Sequence, residues 1–309
     1  MEQKTYWLTT DDHHKVFVRN WYQSNHSPKA IIQLAHGMAE HTGRYQRFAE
    51  FMVERNFAVY ANDHRGHGHT GKRQGTLGFL DEKNGFDKTV NDLWSVTKTI
   101  EREHPGKPLF LLGHSMGSFL ARRYIQQHSH ALNGVLLSGT GSHPGLINNL
   151  GKILAIAERK RRGPKVPSKL LHQLAFANYN RNIDNRVTEF DWLSRDSELV
   201  RAYLNDPFSG FVPTAAFFLD LFTGFDHMDD PDGIESIAKQ LPMLFFSGSK
   251  DPVGKQVKSV FRTADTYYQH GIQDITVRIY ENGRHEMLNE INKEEVFTDI
   301  VNWIHDVMS

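Results

Sequence analysis

The sequence predicts an α/β fold, a mainly parallel sheet flanked by helices, with a helical segment inserted late in the chain. Three observations carry this. Short β-branched or aliphatic runs alternate with longer stretches of helical period. One run, Leu241 to Gly248, reads as a buried strand. The alternation then stops between about Ser142 and Glu235, where helical segments are joined by loops containing Gly163, Pro164, Pro167 and Pro207.

In chain order, the strands expected are Lys15 to Trp21, Ala30 to Leu34, Ala58 to Ala61, Leu109 to Leu112, Gly134 to Leu137, Pro242 to Phe246 and Ile275 to Tyr280. Between them, Val90, Leu93, Trp94 and Ile100 share one helical face, as do Val296, Ile300, Trp303, Ile304 and Val307 near the end. Both helices should lie on the sheet. The organisation that follows is a core in two parts, residues 1–141 and 236–309, interrupted by a helical cap at 142–235. No internal repeat or low-complexity tract is present.

Composition narrows the class of function. The 309 residues are 39% hydrophobic and 23% charged, as in ordinary globular proteins. Lys plus Arg and Asp plus Glu each number 36, so no basic field gathers nucleic acid. Cysteine is absent, which excludes disulfides and thiolate metal sites and suits a reducing compartment. The N-terminal MEQKTYWLTTDDHHK is too polar for a secretory signal, and no apolar run approaches the roughly 18 residues of a membrane span. The expectation is a cytoplasmic protein; oligomeric state is not encoded in any of these patterns.

The chemistry centres on Gly113-His114-Ser115-Met116-Gly117. A G-x-S-x-G is weakly specific alone, but here the apolar run Pro108 to Leu112 leads straight into it and the helical run Phe119 to Ile125 follows. A strand, a sharp turn and a helix make a nucleophile elbow. Its glycines are needed because side chains at 113 and 117 would collide with neighbouring segments, and the helix start directs its dipole at negative charge developing near Ser115. The bland alternative is a glycine-punctuated turn with an ordinary serine.

A serine hydroxyl is a poor nucleophile until a base takes its proton, so the elbow calls for an acid and then a histidine downstream. Asp251 lies just after the apolar run Leu241 to Gly248, and His285 in the loop after Ile275 to Tyr280. Functional groups of open α/β sheets collect at such C-terminal strand ends. Position singles out His285 among 18 histidines. Asp251 could instead be a turn-forming Asp before Pro, with Asp226, Asp229 and Asp230 as fallback acids. Two backbone donors for an oxyanion are expected from Met116, after the nucleophile, and Met38, after the strand that ends at Ala35-His36-Gly37.

Three further features admit two readings each. Asp63-His64-Arg65-Gly66-His67-Gly68-His69 sets three histidines within six residues, a possible zinc site, but the glycines between them suit a loop better. Leu146, Leu150, Ile153, Leu154 and Ala157 share a face followed by Arg159, Lys160, Arg161, Arg162 and Lys165; this is either a peripheral membrane helix or one packed on the core with cations at its C-terminus. The stretch Phe211 to Phe225 is apolar almost all round, so Phe211, Phe217, Phe218, Leu221, Phe222 and Phe225 should be buried or wall a cavity suited to an acyl chain.

Taken together, His36-Gly37-Met38-Ala39-Glu40-His41-Thr42-Gly43-Arg44-Tyr45, Asp63-His64-Arg65-Gly66-His67-Gly68, the Gly113 to Gly117 elbow, Gly248-Ser249-Lys250-Asp251 and the late His285 resemble the monoacylglycerol lipase and lysophospholipase-like branch of the α/β hydrolases. The resemblance implies the α/β-hydrolase fold, puts the triad and the oxyanion donors on the residues already chosen, and makes the Asp63 loop structural. It sets Glu40 and Arg44 at the polar end of a substrate pocket, with Ala39 where the family often has Gly. The function expected is hydrolysis of monoacylglycerols or similar single-chain lipid esters with no cofactor and no metal. The same triad would also serve an esterase or amidase acting on short soluble substrates, and the fold can serve as a non-catalytic binding module.

Overall fold

The computed structural model describes residues 1–309. The chain runs β1 (Glu2–Thr9), β2 (Lys15–Tyr22), β3 (Ala30–Ala35), α1 (Gln46–Val53), β4 (Phe57–Asn62), α2 (Gly68–Gln74), α3 (Gly85–Glu103), β5 (Leu109–His114), α4 (Met116–His128) and β6 (Gly134–Ser138). There follow α5 (Leu146–Arg162), α6 (Lys169–Phe176), α7 (Ser197–Asn205), α8 (Ala215–Met228) and α9 (Pro231–Glu235) before the chain returns to the sheet with β7 (Met243–Gly248), α10 (Lys258–Gln269), β8 (Ile275–Tyr280) and α11 (Lys293–Met308).

The eight strands are ordered β1-β2-β4-β3-β5-β6-β7-β8. Pairing is antiparallel for β1 with β2 and β2 with β4, and parallel for the other strand pairs. Because side chains alternate across a strand, Ile31 and Leu111 face a core beneath α3, α4 and α10, while Ile32 and Leu112 face one beneath α1 and α11. The central strands are therefore buried on both sides and read as continuous apolar runs. Val90, Leu93 and Ile100 of α3 and Val296, Ile300, Trp303 and Ile304 of α11 are buried in these two layers. The half-buried Trp94 stacks on His128, with ring centroids 4.1 Å apart.

The structure adds one strand to the seven expected. β1 is exposed along most of its length and polar, and it is held by its full antiparallel register with β2. Its alternation, with only Tyr6 and Leu8 packed on the core, is too weak a signal to separate from a loop.

The helices between β6 and β7 depart from expectation in two places. On α5 the face of Leu146, Leu150, Ile153 and Ala157 points outward, with Leu146 87% and Ile153 63% exposed. The reading of that face as packed on the core is therefore overturned for these four residues, while Leu154 of the same set does pack against the core. α5 instead turns Asn148, Gly151 and Ala155 inward, and Asn148 donates to the Phe222 carbonyl and to Asp226. Small and polar residues allow the close approach to α8, so the larger apolar ones are left outside. The second difference lies in the Phe211 to Phe225 stretch, which is helical only from Ala215, where the Thr214 side chain caps the Phe217 N–H. Phe217 is fully buried in the main core, its ring 5.9 Å from His67, and it does not wall a cavity.

Candidate active site

The elbow forms as the local sequence requires. β5 ends at His114, α4 begins at Met116, and Ser115 between them has φ 52° and ψ −119°, a strained conformation for a residue with a side chain. The turn is tight enough that a side chain at Gly117 would run into the Ala35 carbonyl and one at Gly113 into the backbone of Gly117. Ser115 N–H donates to the Ser138 carbonyl at 2.9 Å, which leaves the hydroxyl as the group presented.

Asp251 and His285 reach the same place from the ends of β7 and β8. Both side chains are buried, and His285 Nδ1 lies 2.9 Å from Asp251 Oδ1. The carboxylate also accepts from Ser247 Oγ at 3.0 Å and from the Val253 N–H at 2.9 Å. Burial disfavours the ionised carboxylate, but His285 and these donors outweigh it, so its pKa falls below the usual value. For His285, burial disfavours the imidazolium, yet Asp251, with help from Glu286 and Glu40, outweighs that and raises its pKa above 6.5. His285 Nε2 is buried without a hydrogen-bond partner and is free to receive a proton from a group in the adjoining cavity. The serine–histidine bond itself is not formed; such bonds often tighten only when substrate is bound.

Met38 and Met116 N–H groups donate to no other backbone group. Both residues line the cavity that contains Ser115 and His285, about 780 Å³ in volume, within the range of small-molecule sites. Phe119, Phe218, Leu221, Phe222 and Phe225 form one wall, with Phe211 beside them, and Phe176, Tyr179 and Trp192 contribute to the remainder. Glu40 also lines it. Arg44 does not: it lies behind Glu40, ion-paired to Glu40 and Glu286, with its guanidinium 4.7 Å from the Tyr203 ring. This corrects the expectation that Arg44 meets substrate.

The fallback acids are engaged elsewhere. Asp226 pairs with Lys152 and His143, Asp229 with Arg122, and Asp230 caps α9. The histidines after β4 serve the backbone: His64 Nε2 meets the His36 carbonyl at 3.2 Å and His67 Nδ1 meets the Arg65 carbonyl at 2.8 Å. Burial holds both largely neutral, with pKa values of about 3 and 4. No three acidic or imidazole groups converge as a metal site.

Sequence reasoning missed the segment that covers His285. The Trp192 and Leu193 carbonyls accept the His285 and Glu286 N–H groups at 3.3 and 2.8 Å, and Arg284 donates to the Asp191 and Ser194 carbonyls. The Trp192 ring lies 5.0 Å from that of His285. No periodic signal marks this irregular stretch. Glu286 was also missed, although a carboxylate directly after the histidine in an otherwise apolar His-Glu-Met-Leu run was a usable sign.

An eight-stranded sheet of this order, with an elbow serine after β5 and an acid and a histidine after its last two strands, has the architecture of an α/β hydrolase. The Hydrolase_4 family, described as serine aminopeptidase, S33, matches residues 26–292. The chain belongs to that family, in its monoacylglycerol lipase-like branch, and is a carboxylic ester hydrolase. It is 30% identical over 282 residues to the monoacylglycerol lipase of Mycolicibacterium smegmatis, covering 90% of this chain and 88% of that protein. It is 28% identical over 305 residues to the monoglyceride lipase of Homo sapiens, covering 96% and 89%. A carboxyl esterase from Bacillus coagulans, solved in complex with glycerol, superposes over 100% of both chains with a TM-score of 0.91 and 25% identity.

Proposed function

We propose that this enzyme hydrolyses monoacylglycerols or similar lipids with a single acyl chain through a covalent intermediate on Ser115. The observation that carries the reading is one cavity in which an elbow serine, an acid-paired histidine and an aromatic wall meet. In this mechanism His285 Nε2 takes the proton from Ser115 Oγ as the oxygen attacks the ester carbonyl carbon. The resulting oxyanion is received by the Met38 and Met116 N–H groups, aided by the dipole of α4. Asp251 holds the histidine tautomer and stabilises the imidazolium, which then protonates the departing alcohol oxygen. Water enters, gives a proton to His285 and attacks the acyl-enzyme; the fatty acid leaves and Ser115 regains its proton.

Residues 142–235 act as the cap in this reading. Phe218, Leu221, Phe222 and Phe225 receive the acyl chain, and Glu40 at the polar end receives the hydroxyls of a small alcohol group. Each methylene moved from water to this wall contributes up to about 0.8 kcal/mol until the space is filled. The test is kcat/KM for monoacylglycerols from two to eighteen carbons beside matched triacylglycerols, below micelle-forming concentration where solubility allows. The values should climb with chain length and level off, and exceed those for triacylglycerols. A preference for acetate esters, or equal rates on triacylglycerols, contradicts the assignment.

The outward face of α5 is proposed to rest on lipid. Leu146, Ile147, Leu150 and Ile153 are exposed, four consecutive basic residues follow at 159–162, and Ile147 reaches the cavity lining. No helix is long and apolar enough to cross a membrane. Sedimentation with vesicles of anionic lipid should retain the protein and release a Leu150→Glu/Ile153→Glu variant; equal retention of the two contradicts the proposal.

A further inference from the structure

We propose that Arg44 is a positioning residue that ties the oxyanion turn to the histidine loop, so that one guanidinium sets both sides of the reacting carbonyl. The inference rests on the role proposed for Ser115, His285 and the Met38 N–H.

The oxyanion turn is held at Glu40 and at the Ala39 carbonyl, and Arg44 is what joins the first of these to the histidine loop. The turn leaves the sheet after β3 and passes through Ala39 at φ 53°, a left-handed conformation unfavourable for a residue with a Cβ. The Glu40 carboxylate fixes it from behind: Oε1 accepts the Gly37 N–H at 2.5 Å and the Tyr45 hydroxyl at 2.7 Å. The Ala39 carbonyl is held by the Tyr203 hydroxyl at 3.0 Å and the Gly210 N–H at 2.9 Å. Met38 lies inside this short loop, so the direction of its N–H depends on where Glu40 sits.

On the other side, Glu286 directly follows His285. Its two oxygens accept Arg44 Nη1 and Nη2 at 2.6 and 2.7 Å, in the two-point geometry that a guanidinium provides and an ammonium does not. The same Nη1 donates to Glu40 Oε2 at 2.6 Å. Glu40 and Glu286 are both buried, and the guanidinium between them offsets the repulsion of two carboxylates sharing one site. Arg44 thus spans elements 242 residues apart in sequence. Being outside the cavity lining, it acts through its two partners.

This arrangement also bears on the base. The charged groups around His285 are Asp251, Glu286 and Glu40, with His114 4.7 Å away ring to ring and kept neutral by burial, its pKa about 4. Removing the charge of Glu286 leaves Arg44 to neutralise Glu40 and takes one negative charge from beside the imidazolium.

The experiment uses Arg44→Lys and Glu286→Gln in the full chain, assayed on p-nitrophenyl butyrate. This ester has no glycerol group, so loss of a contact to the alcohol cannot mimic loss of positioning. Arg44→Lys should lower kcat at least about tenfold while KM changes less than about threefold. In Glu286→Gln the rise of kcat/KM with pH should shift to lower pH. Wild-type kcat in Arg44→Lys, a loss confined to KM, or an unmoved profile in Glu286→Gln overturns the proposal. Should Arg44→Lys fail to fold, kcat of Glu286→Gln decides, since that change breaks the two-point contact with Arg44 in place: a fall of at least about tenfold with KM nearly unchanged supports the tie, and an unchanged kcat overturns it. Fluorophosphonate labelling of the wild type separates the two levels: label absent from Ser115 removes the underlying catalytic reading, whereas label on Ser115 with both variants unaffected removes only the role of Arg44.

Discussion

His285 Nδ1 and Asp251 Oδ1 are 2.9 Å apart with both side chains buried, and the Asp251 carboxylate is fixed in turn by Ser247 and the Val253 N–H. The acid therefore holds one face of the imidazole and leaves Nε2 for the cavity. Asp251→Asn keeps the shape but offers an amide in place of a carboxylate acceptor. It should lower kcat at least about a hundredfold with the fold intact; the corresponding change in a serine protease costs about 10⁴. Steady-state kinetics beside circular dichroism check this, and near-wild-type turnover would move the role to another acid.

The second expectation concerns pH. In the proposed mechanism His285 serves as base and must be neutral to do so, so kcat/KM should rise with pH through its pKa. Burial alone would move that midpoint down, but Asp251, Glu286 and Glu40 raise it above 6.5. A profile from pH 5 to 9 with no midpoint contradicts histidine base catalysis, and a midpoint below 6.5 contradicts the dominance of the neighbouring carboxylates over burial.

Stability should also fall on acidification, through other histidines. Burial depresses His36 well below its ordinary value, His64 to about 3, and His67 and His114 to about 4. Once unfolded, each binds its proton near pH 6.5. Below that pH the unfolded chain holds more protons, so each group removes about 1.4 kcal/mol per pH unit until its folded pKa is reached. The raised pKa of His285 opposes this, as one group against four. Urea midpoints should be highest above pH 6.5 and fall between pH 6.5 and 5; an unchanged midpoint over that window contradicts the burial of these histidines in neutral form.

Two neighbouring phenylalanines should separate folding from specificity. Phe217 is packed in the core beside His67, whereas Phe222 lines the cavity. Phe217→Ala should cost about 3–5 kcal/mol of stability and leave the chain-length profile of the remaining folded enzyme unchanged. Phe222→Ala should flatten that profile. Denaturant melts and the monoacylglycerol series on both variants check the contrast, and an altered chain-length profile in Phe217→Ala would place Phe217 on the acyl path.

The fold was legible where the physics is local. Strands buried on both faces are largely apolar, and a serine on a strained turn demands small neighbours, so β3 to β7 and the elbow could be read from residue order. β1 was not legible, because an exposed edge strand held by its partner's backbone carries little side-chain pattern. Periodicity identified the apolar face of α5 but not its direction, which is decided by the close contact of Gly151 with Phe222 on α8. The same limit applies to Phe217 and Phe218, adjacent in sequence, of which Phe218 alone reaches the cavity. Arg44 was visible as a motif residue, but its partner Glu286 lies 242 positions away, and such a pairing exists only in three dimensions.

The central claim is that Ser115 carries the acyl group, and the most direct measurement is the site of covalent modification. The protein is treated with a fluorophosphonate at neutral pH, digested, and mapped by mass spectrometry, with Ser115→Ala treated in parallel. The account predicts one adduct, on the peptide containing Ser115, and none in the variant. An adduct on a different serine with Ser115 unmodified, or undiminished labelling of Ser115→Ala, would contradict it.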